Sequence, residues 1–242
     1  MSEVIFTSHK FPMEKCPPNL KSNLTNWKNM NPTYEFKYFC DELLLDWMKK
    51  NIRPKTYSLF QKLNSGAGKA DLFRICYLFY EGGIWVDADL PAFNIDKNNS
   101  QFKNLLKENK ALIVRNRKCD NPRYTFIAST KKNILFFLLI NKILQHIEWS
   151  LTLKHPINTI HVTGPFVLHK LVCELLKLSN IKLLPLHKKH IIHKNSFMYI
   201  DDFIPEKNTY EEENTYKGYQ DDLRIMKTPC HRSVNAVIVN VE

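Results

Sequence analysis

The chain has 242 residues, enough to bury a sizeable core, and its 44% hydrophobic and 24% charged residues are the balance of a folded globular protein. Only 6 Gly and 12 Pro exclude a collagen-like or linker-dominated chain. The net charge of +11 favours anionic partners, but the cations are 28 Lys against 7 Arg, and Arg is the residue that grips phosphate or guanine through paired bonds. Most of the excess charge therefore reads as solvated surface.

Taken in chain order, Val4–Thr7 is an apolar run and the first expected strand. A Pro-interrupted loop, Phe11–Pro18, precedes a modest helical pattern over Leu20–Trp27. Tyr34–Phe39 alternates aromatic and polar residues, the period of a strand. Cys40-Asp41-Glu42 opens a helix over Leu43–Lys50, whose lysines suit a C-terminal end. Ala67–Tyr80 is a helix closed by Gly82-Gly83, because glycine tolerates the left-handed cap conformation. Ile84–Asp87, Ala111–Val114 and Thr125–Ala128 are short strands. Ile134–Trp149 is a strongly apolar helix; its longest apolar run, Ile134–Ile140, is far below the roughly 20 residues that cross a bilayer, so it reads as core. Gly164-Pro165 punctuates the chain before a helix over Phe166–Leu178. Ile181–Leu184 and Val234–Val241 are expected strands, and Tyr210–Asp222 an acidic loop. Strands alternating with helices give an α/β class with a largely parallel or mixed sheet, and no repeat or linker divides it, so one domain over 1–242 is expected.

The N-terminus lacks the basic and apolar regions of a secretory signal, and the expected location is cytoplasmic. The six cysteines are scattered without a CxxC pair and read as reduced thiols. Asn64–Lys69 resembles a phosphate-binding loop only superficially, since Leu63 stands at its first glycine and Ala70 at its metal-binding hydroxyl. His187, His190 and His193 are spaced by three, yet the segment reads as a basic solvated loop or strand end rather than a zinc site.

The informative window is Gly68–Pro91. In the otherwise apolar helix, Asp71 and Arg74 stand three apart and share a face. Burying such a pair is costly unless the charges are paired or used, so a structural ion pair and a working pair are both open. On the strand, Ile84 and Val86 face one way and Trp85 and Asp87 the other. Asp87 then ends a buried strand, where open α/β sheets bind ligands, with Asp89 two residues on. Two such carboxylates suit a hard divalent cation, which keeps positions for substrate phosphates. Asp201, Asp202, Asp221 and Asp222 are further acids, read first as loop residues.

Together Ala70, Asp71, Arg74, Leu78, Gly82, Gly83, Asp87 and Asp89 resemble the DXD sugar-binding region of glycosyltransferase family 32. Flanking likenesses are Val4–His9, Trp27 with Asn31-Pro32 and Tyr34-Glu35-Phe36, Phe126–Ser129 and the Thr163-Gly164-Pro165 turn. The family's C-terminal His-His-x-x-x-Ser-Trp has only a partial echo in Cys230-His231-Arg232-Ser233. The resemblance implies a GT-A fold, a Rossmann-like mixed sheet flanked by helices, with a nucleotide-sugar half over about 1–130 and an acceptor half over about 131–242. It implies Mn2+ or Mg2+ as cofactor, held by Asp87, Asp89 and His231. It gives Asp71, Arg74, Asp87 and Asp89 catalytic roles and adds Ile5, His9, Gly82, Gly83, Thr163 and Gly164 to the donor-binding set. Asp89 would ligate the metal directly, with Asp87 on the donor. The implied partners are a nucleotide sugar, UDP-linked in preference to GDP-mannose, and a glycan or lipid-linked acceptor. Peripheral contact with anionic membrane is a further expectation from the lysines. The competing readings are a nucleic-acid binder or metal-dependent nuclease, from the charge and paired acids, and an inactive transferase-like scaffold.

Overall fold

The computed structural model describes residues 3–98, 111–115, 122–153, 157–177, 190–193, 197–201 and 222. The expectations at residues 181–184, 187, 202, 210–221 and 231–241 lie outside the described residues.

A seven-stranded sheet carries the fold: β1 (Val4–Ser8), β2 (Glu35–Phe39), β3 (Gly83–Val86), β4 (Ala111–Arg115), β5 (Pro122–Ser129), β6 (His190–His193) and β7 (Phe197–Asp201), in the order β2-β1-β3-β5-β4-β7-β6. β1 lies parallel to both β2 and β3, β4 lies parallel to β7, and the remaining pairs are antiparallel, so the sheet is mixed. The helices are α1 (Pro18–Met30), α2 (Asp41–Asn51), α3 (Pro54–Gln61), α4 (Gly66–Tyr80), α5 (Ile95–Asn98), α6 (Ile134–Thr152), α7 (Thr159–Val162) and α8 (Pro165–Leu176), with one 3-10 turn at Met13–Lys15.

The strand period of two sorts the core into layers. Phe6, Trp85, Ile113 and Ile127 face one way and pack with residues of α2, α3, α4, α6 and α8. Ile5, Ile84, Val86, Leu112, Phe126 and Ala128 face the other way, where Trp27 of α1 covers them. The central helix α4 starts on Ser65, whose hydroxyl accepts from Gly68 N–H at 3.0 Å. The segment that resembles a phosphate loop is therefore a capped helix start. The apolar α6 is long and apolar enough to cross a membrane by composition. Leu135, Phe136, Leu139, Ile140, Ile143 and Ile147 are nonetheless buried in the core, as its periodicity implies.

Two elements depart from expectation. Residues 54–61, left without an element by the sequence pattern, form α3, launched by Pro54 at its first position and anchored by buried Thr56 and Phe60. His190 and His193 are the two ends of β6, one of the expected alternatives, in a strand that pairs with β7, whereas Asp201 ends β7 instead of lying in a loop. Both strands are short and depend on neighbours in the sheet, which local sequence does not display.

Candidate active site

β1 has β2 on one side and β3 on the other, so successive strands leave it in opposite directions. A crevice opens at such a switch point beyond the C-terminal ends of the strands. His9 follows β1 and Asp87 follows β3 there.

Arg74 organises this end of the sheet. Its Nη2 lies 3.1 Å from Asp71 Oδ1 and its Nη1 2.9 Å from Asp87 Oδ1. Nη1 also donates to the Tyr124 carbonyl at 2.9 Å, and Nε to the Ala70 carbonyl at 3.4 Å. The guanidinium lies over Trp85 at 4.4 Å and Tyr124 at 5.3 Å, an aromatic setting that a planar cation suits. Trp85 Nε1 donates to Asp87 Oδ1 at 2.8 Å. Trp85 thus holds the first acid of the Asp-x-Asp pair directly. Thr163 donates to Asp71 Oδ2 at 3.0 Å, joining the Thr-Gly-Pro turn to α4. Burial pushes the Asp71 carboxyl up to about 6, while Arg74 and the Thr163 bond pull it down. The ion pair is structural and central at once: it fixes two carboxylates at the crevice.

Asp87-Ala88-Asp89-Leu90 forms a turn closed by Leu90 N–H to the Asp87 carbonyl at 3.0 Å. Both acids thereby sit on one short turn just beyond the C-terminal end of β3. Their hard oxygens suit Mg2+ or Mn2+ completed by substrate phosphates. Among the described residues no group of three or more His, Cys, Asp or Glu converges on a metal position. Asp87 Oδ1 is held by both Arg74 and Trp85. His231 lies outside the described residues.

Four residues expected to bind the donor have visible packing roles. Ile5 is wholly buried, and its side chain packs in the core. Gly82 and Gly83 lie at the start of β3, a strand's length from Asp87, with φ of +74° and +108°. A Cβ on Gly83 would stand 2.8 Å from the Val4 carbonyl oxygen, and one on Gly82 2.8 Å from Lys131 N. These glycines permit close approach between segments of the chain itself. A Cβ on Gly164 would stand 2.7 Å from Ile160 Cα, so Gly164 lets the turn close and Thr163 reach Asp71.

His9 does lie at the crevice end, half-buried, with Nδ1 accepting from Phe11 N–H at 3.5 Å. Burial, aided by Lys10, lowers its pKa to about 4, so it is neutral near pH 7. Asp222 is a correction to the loop reading. It is fully buried, and its carboxylate accepts from Leu20 N–H at 2.8 Å and Asn19 Nδ2 at 3.1 Å. It caps α1, whose own cap position holds Pro17 and offers no side-chain acceptor.

Sequence reasoning also missed Tyr124, which walls Arg74, and Asn23, which grips the loop after β3. The signal for Asn23 was present. Asn23, Trp27 and Asn31 recur every four residues, and a buried stripe that carries two amides needs backbone partners.

Residues 17–111 match the family model described as the glycosyltransferase sugar-binding region containing a DXD motif. That stretch is similar to the sugar-binding region of glycosyltransferases. Asp71, Arg74, Asp87 and Asp89 all fall within it. Among solved structures, the PaToxG glycosyltransferase is similar in fold, with a TM-score of 0.51 and 14% identity over 72% of this chain and 69% of that one. The architecture is accordingly the GT-A type of mixed α/β fold. None of the curated proteins matches the chain. The matched region supports a glycosyl transfer role.

Proposed function

We propose that this glycosyltransferase moves a hexose-type sugar from a nucleotide-sugar donor, UDP-linked in preference to GDP-mannose, to a glycan or lipid-linked acceptor. Retention of anomeric configuration belongs to the same reading. The observation that carries it is the Asp71–Arg74–Asp87 linkage at the switch-point crevice, continuous with the turn that presents Asp89. Residues 1–130 form the donor half in this reading and 131–242 the acceptor half, in a cytoplasmic protein.

Donor sugar hydroxyls would bond to Asp71, whose carboxylate Arg74 and Thr163 hold in place. Asp87 would meet the donor ribose or sugar from its anchored position, and Asp89 would hold the divalent cation, Mn2+ or Mg2+. When bound, that cation neutralises charge on the departing diphosphate. In the transfer, the bond from the anomeric carbon to the donor phosphate oxygen breaks and a bond to the acceptor oxygen forms. The acceptor's proton passes to the leaving phosphate, and a nucleoside diphosphate departs. Among the described residues no separate nucleophile stands in this cluster, which favours attack from the same face of the sugar.

The test is a thermal-shift panel of nucleotide sugars with and without Mn2+, since ligands that bind only the folded chain raise its melting temperature. Stabilisation by one donor plus metal is expected, and Asp89→Asn should abolish it without lowering the melting temperature of the free protein. Normal metal-dependent donor binding by Asp89→Asn would remove the metal assignment. A flat panel with folded protein would return the weight to a scaffold or a nucleic-acid binder.

A further inference from the structure

Helix α1 holds the loop that follows β3 through one stripe of side chains. Asn23 Nδ2 donates to the carbonyls of Ala88 at 3.0 Å and Leu90 at 2.9 Å, and Trp27 Nε1 donates to the same Leu90 carbonyl at 3.0 Å. Asn23 Oδ1 accepts from Ala92 N–H at 3.0 Å. One turn further, Asn31 donates to the Phe93 carbonyl and accepts from Ile95 N–H, both at 2.9 Å. Asn23, Trp27 and Asn31 are all buried, so water offers no alternative partner.

The two amides grip different stretches of the loop. The peptide before Asp89 is fixed through the Ala88 carbonyl, which Asn23 holds. The peptide after Asp89 is fixed by Leu90 N–H, bonded to the Asp87 carbonyl. With both flanking peptide planes set, the two soft backbone dihedrals of Asp89 are set too. Asn31 acts on residues 93 and 95, beyond the turn.

We infer that Asn23 is a positioning residue for the divalent cation: by clamping the backbone on either side of Asp89 it orients that carboxylate before the metal arrives. This rests on the reading of Asp89 as the metal ligand. Partners of ligating residues typically alter metal affinity about 10- to 100-fold when removed. A merely structural amide alters stability and leaves affinity alone.

The experiment pairs Asn23→Asp with Asn31→Asp. Both swaps keep shape, and each replaces a donating amide by a carboxylate facing carbonyls. Free Mn2+ is followed by electron paramagnetic resonance in the presence of UDP or GDP, and metal-free melting temperatures are measured in parallel. Both variants should melt lower than the parent, but only Asn23→Asp should weaken Mn2+ binding, by about tenfold or more. If either fails to fold, Asn23→Ser and Asn31→Ser, which cut the side chain back to a shorter donor, are compared in the same way. Equal Mn2+ affinities in the two variants would overturn the inference while leaving the function intact. A parent chain that binds no Mn2+ with either nucleotide would overturn both.

Discussion

Arg74 shows how much one side chain can be asked to do. Its guanidinium joins two carboxylates and a carbonyl and lies against two rings, with only 7% of the side chain exposed. A Lys there keeps the charge but not the fork, and leaves a buried acid unpaired. Arg74→Lys is therefore expected to cost about 3 kcal/mol of stability, read by urea unfolding. His9 makes a pH-dependent contribution. Its folded pKa of about 4 lies below the ordinary 6.5, so between those values the unfolded chain binds more protons and stability rises with pH. The contribution is complete above pH 6.5 and is lost as pH falls towards 4, up to about 3 kcal/mol. His9→Gln should flatten that part of the stability–pH curve relative to the parent. Burial of Asp71 works in the opposite sense, because its raised pKa favours the folded state at lower pH, and it cancels in the comparison.

At the scale of elements, β3 depends on two glycines. Gly83 combines a φ of +108° with a Cβ position 2.8 Å from the Val4 carbonyl oxygen. Gly83→Ala should destabilise the chain by on the order of 3 kcal/mol, seen as a lowered unfolding midpoint, by displacing β3 from β1. α1 depends on Asp222, distant in sequence. Asp222→Ala should cost about 1–2 kcal/mol in the same assay through loss of the cap. The sequence pattern placed α1, α2, α4, α6 and α8 within a few residues of their ends, because each has an apolar face at helical spacing. It passed over α3 and β7. α3 has two buried side chains in eight residues, too little periodicity to stand out.

Over the whole molecule, 28 Lys give a large like-charge field on a domain with net charge +11. Screening should relieve its self-repulsion, so added salt is expected to raise the melting temperature; a fall on going from low to moderate ionic strength would show instead that the ion pairs dominate. The sequence by itself determined the α/β class, the order of most elements and the acid–base set Asp71, Arg74, Asp87 and Asp89. These are short-range patterns of spacing and polarity, and they survive in one dimension. Only the tertiary structure decided that Arg74 joins both acids, that Gly82 and Gly83 let neighbouring segments approach closely, that Asp222 caps α1, and that Asn23 holds the turn around Asp89. Apart from the Arg74–Asp71 pair, three residues apart, the partners in those contacts lie between 13 and about 200 residues apart. Which distant groups meet depends on the order and direction of strands in the sheet, and no local pattern encodes that.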